Sequence, residues 1–188
     1  EGRMLFVDLG CGNLRLGGSA LAQVYNQVGQ EAPDVNNPER LKRAFGVTQS
    51  LISQGLVSAG HDRSDGGLIT TILEMAFSGN CGIEINLQDP DLRDPVRMLF
   101  TEELGLVLEV RKDVEQRVLK AFSVAQVPCV TIGNAIQETD VIIRLNGVSV
   151  LEGDTREFRD LWEETSFHLE SLQANPQCVE QEREGLRK

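Results

Sequence analysis

The sequence predicts a mixed α/β domain in which an antiparallel-rich sheet is covered by helices, and three observations carry that expectation. Short apolar stretches with period-two alternation recur along the chain. The clearest is Cys81–Leu87, where Ile83, Ile85 and Leu87 alternate with Glu84 and Asn86. Between such stretches lie segments with helix-start chemistry and helical spacing, after Ser19, Asn37 and Asp154. Finally, Asn146-Gly147 joins two strand-like runs, the strongest short hairpin signal a sequence carries. Strands and helices mixed in this way describe a sheet with helices packed on it.

In chain order, Met4–Leu9 reads as a strand and Gly10-Cys11-Gly12-Asn13 as a turn. Ser19 is placed to cap a helix over Ala20–Tyr25, with Gly29 as a stop. Asn37 is a second N-cap. Pro38 suits the first helical position, and Glu39 suits the positive end of the helix dipole. Leu41, Phe45, Thr48 and Ile52 fall on one helical face, and Gly55 closes the helix. Leu56–Ala59 is expected as a short buried strand, and Leu68–Phe77 as a buried helix ended by Gly79-Asn80.

Gln88–Pro95, polar and with two prolines, is expected as a surface loop. Leu106–Val110 is the next strand, and Asp113 is placed to cap a helix running towards Phe122. Cys129–Ala135, Val141–Leu145 and Val148–Leu151 follow as strands at hairpin spacing. Asp154-Thr155 starts a long helix through Trp162 and Phe167, both expected to pack rather than to bind. Residues 1–172 are therefore expected as one domain. Residues 173–188, polar and charged, are expected as a tail or linker, or as a helix docked at its edge.

Composition narrows the functional classes. The chain has 188 residues, 40% hydrophobic and 25% charged, ordinary for a globular protein with a sizeable core. A formal net charge of −11 argues against a nucleic-acid partner held through phosphates on a basic face, though not against a single nucleotide. No apolar run is long enough to span a bilayer. No secretory leader is visible at Glu1-Gly2-Arg3-Met4, and a strand begins at Arg3, so the chain is expected to be cut from a longer polypeptide. Cys11, Cys81, Cys129 and Cys178 have neither zinc-like spacing nor a disulfide pattern, which suits free thiols in the cytoplasm.

His61-Asp62-Arg63-Ser64-Asp65-Gly66-Gly67-Leu68 is the segment with the parts of a nucleotide–magnesium site. Magnesium needs one or two protein carboxylates besides phosphate oxygens, and Asp62, after a strand, supplies one. The Ser64 hydroxyl can donate to a phosphate oxygen. Gly66, in a glycine pair, lets a ligand approach the backbone and is a second nucleotide-binding candidate. Asp65 is placed to cap the helix that opens there. Capping alone also explains Ser, Asp and Gly at these positions, so the residues by themselves leave both roles open.

The motif, followed by Glu74-Met75-Ala76-Phe77, resembles the second AIR-synthetase-type C-terminal domain of the large-type phosphoribosylformylglycinamidine synthase family. Further landmarks match in order over roughly residues 2–182: Asp8-Leu9-Gly10 with Arg15 to Gln23, Leu99 to Gly105, and Trp162 to Ser166 with Leu172 to Pro176 and Cys178. The resemblance implies that Asp62 is a magnesium ligand and that Ser64 contacts ATP or ADP. It implies an ATP-dependent ligase that converts formylglycinamide ribonucleotide to the amidine with ammonia from glutamine. Its partners would be preceding ATP-binding synthetase domains and a glutaminase domain outside this chain, and the segment alone would not turn over. A structural nucleotide-binding module of the same enzyme, without a catalytic role, is the alternative.

Other signals point to structure. Gly10-x-Gly12 lacks the third glycine and the downstream acid of a dinucleotide site, and is expected as a tight turn. Gly17-Gly18-Ser19 is a helix cap or a phosphate contact. His61 is expected to be a hydrogen-bonded histidine beside the turn, and Glu102-Glu103 a solvated pair.

Overall fold

The computed structural model describes residues 2–89 and 94–185. Among them β1 (Gly2–Asp8), β2 (Ala59–Asp62), β3 (Gly82–Leu87), β4 (Gly105–Arg111), β5 (Cys129–Ile136), β6 (Asp140–Leu145) and β7 (Val148–Asp154) build one sheet, ordered β2-β4-β1-β5-β3-β6-β7. Neighbours are antiparallel except β3 and β6. The helices are α1 (Ala20–Val24), α2 (Pro38–Ser53), α3 (Gly67–Gly79), α4 (Pro95–Phe100), α5 (Glu115–Val124), α6 (Thr155–Ser171) and α7 (Pro176–Gly185). The expected class holds: mixed α/β, with an antiparallel-rich sheet under helices.

Alternation along the strands divides the apolar residues between two faces. Met4 and Val107 join Leu68 and Ile72 of α3, Leu99 of α4, and Ile83, Ile85 and Ile143 on one side. Leu5, Val7, Leu108 and Val110 pack with Ala44 and Leu51 of α2 and with Val118 and Phe122 of α5 on the other. Local chemistry starts the helices as expected. Ser19 accepts from the Ala22 N–H at 3.2 Å, Asn37 from Arg40 at 2.9 Å and Asp154 from Arg156 at 2.8 Å. Asn146 and Gly147 take φ of 51° and 81°, as a type I′ turn between β6 and β7 requires.

Several expectations are corrected. The strand placed at Leu56–Ala59 runs instead from Ala59 to Asp62, pairs only with β4, and is an exposed edge rather than a buried strand. Leu56 and Val57 precede the ladder and pack against the α2 and α5 face, so their apolar character marks burial and not pairing. On α2 the buried residues are Ala44, Thr48 and Leu51, while Phe45 and Ile52 stay 66% and 49% exposed. Two apolar rows lie side by side on that helix, and spacing alone does not choose between them. The Gln88–Pro95 loop gives way at its end to α4, started by Asp94, which accepts from Val96 N–H at 2.9 Å; residues 90–93 lie outside the described residues. Asp113 does not cap α5. It lies 3.2 Å from Arg111 Nε, and the N-cap is Val114.

The largest topological correction concerns β5 and β6, which are not hairpin partners, because β3 lies between them. Residues 137–139 arch over the start of β3, where Gly82 N–H donates to Glu138 O at 2.6 Å. A Cβ on Gly82 would come within 2.4 Å of that oxygen and 2.3 Å of Asp140 O, so only glycine permits the crossing. Beyond residue 172, α7 contacts α6 and buries Val179.

Candidate nucleotide site

Edge strand β2 delivers Asp62 to the surface with its side chain 72% exposed. The main chain there is held firmly. Asp62 O accepts from Thr71 Oγ1 of α3 at 3.2 Å, and Arg63 N–H donates to Gly105 O of β4 at 2.8 Å. His61 spans the strand end: Nδ1 lies 2.7 Å from Asp62 O, and Nε2 lies 3.2 Å from Glu74 Oε2 of α3. It is the hydrogen-bonded histidine expected, and Glu74 holds its outer nitrogen.

Arg63 turns inward and is 6% exposed. Its Nε donates to Glu103 O, and its Nη2 donates to Leu104 O at 3.0 Å and to Asp8 Oδ1 at 3.4 Å. The guanidinium also stands 5.0 Å from the Phe6 ring centroid. Burial pulls its pKa down, and the charges of Asp8 and Glu103 pull it back up. Arg63 thus anchors the turn to the sheet while Asp62 and Ser64, on either side of it, stay accessible; Ser64 is half-buried and Asp62 exposed.

The turn closes through Ser64 O, which accepts from Gly67 N–H at 2.9 Å. Gly66, the N-cap of α3, is left-handed at φ 83°, and no side chain of its own caps the helix. Asp65 is exposed and does not cap α3, contrary to expectation. The cap comes from far away in sequence: Glu102 Oε1 accepts from Gly66 N–H at 2.9 Å. That N–H, the donor expected to be open to a ligand, is committed to a carboxylate. Gly67 has φ 75°, and a Cβ there would fall 2.6 Å from the Phe100 carbonyl carbon and 2.7 Å from Leu99 O. Gly67→Ala should therefore lose more than the roughly 1–2 kcal/mol of left-handed strain alone. Thermal melting would show this as a fall of several degrees.

Glu102 and Glu103 are not the solvated pair expected. Glu103 is fully buried and grips Arg15, with Nε to Oε1 at 2.5 Å and Nη2 to Oε2 at 2.7 Å. That hydrogen bond raises the Arg15 pKa further, against a smaller burial effect. Glu102 Oε1 accepts from Ala20 N–H at 2.8 Å as well as from Gly66. Thr101 Oγ1 donates to Arg15 O at 2.9 Å. The segment 101–104 is therefore a hub joining the loop after β1 to the motif turn. Two carboxylates directly before a buried strand, in a chain with arginines in glycine-rich turns, were the available signal.

Gly10-Cys11-Gly12 is a turn, as expected, closed by Asn13 N–H on Gly10 O at 3.1 Å. Ser19 caps the five-residue α1, and its hydroxyl donates to Leu16 O at 2.7 Å. The four cysteines are free thiols, and burial pushes Cys129 up to about 12.

A cleft of about 860 Å³ opens where β2 begins, between β2 and the end of α3; it includes His61 and Glu109 but neither Asp62 nor Ser64. A groove of about 490 Å³ runs along β2 and includes Asp62, with Ile52, Val57 and Leu106 as apolar walls. No group of three or more His, Cys, Asp or Glu is arranged for a metal among the described residues. One exposed carboxylate fits magnesium as part of a shared set, because that ion keeps waters and phosphate oxygens as most of its ligands.

Fold and site together define a class: an α/β domain that presents a carboxylate and a hydroxyl on the turn between an edge strand and a buried helix. The family described as AIR synthase related protein, C-terminal domain, matches residues 9–146, and the chain belongs to that family. It is 47% identical over 190 residues to the human phosphoribosylformylglycinamidine synthase, covering 100% of this chain and 14% of that protein. To the Arabidopsis thaliana protein called probable phosphoribosylformylglycinamidine synthase, chloroplastic/mitochondrial, it is 46% identical, covering 100% and 13%. The chain thus spans a small part of the length of these relatives. In fold it is similar to T. maritima PurL complexed with FGAR (TM-score 0.68, 18% identity, 83% of this chain and 27% of that one). The same protein complexed with ATP gives TM-score 0.64 at 17% identity, covering 82% and 25%.

Proposed function

We propose that the chain is a segment of a phosphoribosylformylglycinamidine synthase, contributing Asp62 and Ser64 to a magnesium–nucleotide site. The observation that carries this is the Asp62 carboxylate, 72% exposed and 3.6 Å from His61 Nδ1, on a turn whose main chain is held by Thr71, Gly105 and Glu102. The full-length similarity of the chain to named synthases supports it. Magnesium, when bound, would supply positive charge at the phosphates of ATP or ADP. Asp62 would hold the ion, Ser64 would donate to a phosphate oxygen, and Arg63 with Glu102 would keep the turn in place.

The parent reaction would be an ATP-dependent C–N ligation on formylglycinamide ribonucleotide with glutamine as nitrogen donor. The remaining ligands would come from a preceding ATP-binding domain, and ammonia from a glutaminase domain. The free thiols suit a cytoplasmic setting.

The commitment of His61 to Glu74 favours a second form of the same reading. The histidine beside Asp62 is already engaged, which suits a site that holds nucleotide without turnover. Both forms require Ser64 to touch the nucleotide. In the full-length synthase, Ser64→Ala should weaken ADP affinity about fivefold, the value of one hydrogen bond of about 1 kcal/mol. Calorimetric titration giving wild-type affinity would remove Ser64 from the site.

A further inference from the structure

We propose that Glu102 is the positioning residue of this site, a clamp that sets the motif turn against the turn before α1. The inference rests on the nucleotide reading given above. One carboxylate oxygen, Oε1, accepts from Ala20 N–H at 2.8 Å and from Gly66 N–H at 2.9 Å. Those donors are 82 and 36 residues from Glu102 in sequence. Gly66 is the N-cap of α3 and Ala20 is the first residue of α1, so both are donors that a helix leaves without an internal partner. Gly66 also lies at the positive end of α3, where a carboxylate is held by charge as well as by hydrogen bonds.

The rest of the hub keeps that carboxylate in place. Thr101 Oγ1 donates to Arg15 O, Glu103 is locked by Arg15, and Arg63 donates to the backbone oxygens of Glu103 and Leu104. Glu102 therefore reaches both turns from a segment that cannot shift freely. Asp62 and Ser64 lie within four residues of the Gly66 N–H, in a turn with no side-chain cap of its own. Without Glu102, the residues between β2 and α3 lose the one carboxylate they share with the start of α1, and Arg63, Thr71 and Gly105 alone hold the end of the turn that carries Asp62.

The clamp also changes how the helix start is used. An anion at the beginning of α3 would ordinarily take its free N–H groups. Here the Gly66 N–H already holds the Glu102 carboxylate and the Gly67 N–H donates to Ser64 O, so these two donors are not open to a nucleotide phosphate.

The test uses the full-length synthase with Glu102→Gln, Glu102→Ala and Glu102→Asp. Glutamine keeps the acceptor oxygen and alanine removes it, while aspartate keeps the charge but is one carbon shorter. Two quantities are read: amide hydrogen exchange at Ala20 and Gly66 without nucleotide, and affinity for magnesium–ADP. The clamp predicts faster exchange at both amides in the alanine variant and a smaller increase with glutamine. It predicts ADP affinity lowered about tenfold or more by alanine, the scale of a lost charge-assisted hydrogen bond, with partial rescue by glutamine, which keeps a neutral acceptor. Should alanine prevent folding, aspartate is expected to release at least one amide and weaken ADP in step.

Unchanged exchange at both amides in the alanine or aspartate variant would overturn the clamp. So would faster exchange with unchanged ADP affinity, or glutamine and alanine variants weakened alike. Failure of the underlying site reading looks different: Asp62→Asn would then bind magnesium–ADP as the wild type does, while the exchange data would still judge the clamp.

Discussion

Arg15→Met is expected to destabilise this chain more than any surface substitution, because it strands the Glu103 carboxylate. Glu103 is fully buried, and its two oxygens are held by Arg15 Nε, Nη2 and the Arg15 N–H. The backbone donor survives the substitution and the guanidinium does not. Stranding a buried carboxylate costs about 3–5 kcal/mol when its charged partner is removed. For a chain of this size that corresponds to a fall in melting temperature of roughly 6–20 °C. Adding Glu103→Met should recover much of the loss, since removing both charges leaves no unpaired ion. A double variant that melts as low as Arg15→Met would show that Glu103 contributes by shape and not through the pair.

Asp62→Asn should act in the opposite way, on binding and not on folding. Its side chain is 72% exposed, and what the structure uses for support is its main-chain oxygen, which asparagine retains. Magnesium affinity in the full-length enzyme should fall by at least 10–100-fold, the range seen when even outer-shell groups of metal sites are removed. Amidine formation with ammonia as nitrogen donor then separates the two forms of the proposal. Lost turnover with an unchanged melting temperature supports a catalytic site. Full turnover with a lowered melting temperature selects a structural nucleotide.

What could be read from the sequence was set by how local its cause is. Ser19, Asn37 and Asp154 cap their helices through donors two or three residues away, and Asn146-Gly147 makes its turn within four residues. These were legible without any fold. The insertion of β3 between β5 and β6 is a pairing across many residues, and its trace in the sequence is one glycine, Gly82. The edge position of β2 also escaped local reading, because the apolar Leu56 and Val57 lie just before the strand and not in it.

The site divides along the same line. Asp62 and Ser64 are proposed from the chemistry of their side chains. The groups that hold them could not be singled out in this way. The cap of α3 comes from Glu102, 36 residues beyond Gly66, and Asp65, the local candidate, is exposed. Arg63, which chemistry alone passed over, anchors the turn by reaching strand β1 and the 101–104 segment.

The central claim is that Asp62 supplies a magnesium contact to a nucleotide site. Its most direct test is the affinity of the full-length enzyme for ADP, measured with and without magnesium, in wild type and in Asp62→Asn. Magnesium should tighten ADP binding in the wild type, and that gain should collapse in the variant while magnesium-free binding stays the same. An equal gain from magnesium in both proteins would contradict the account.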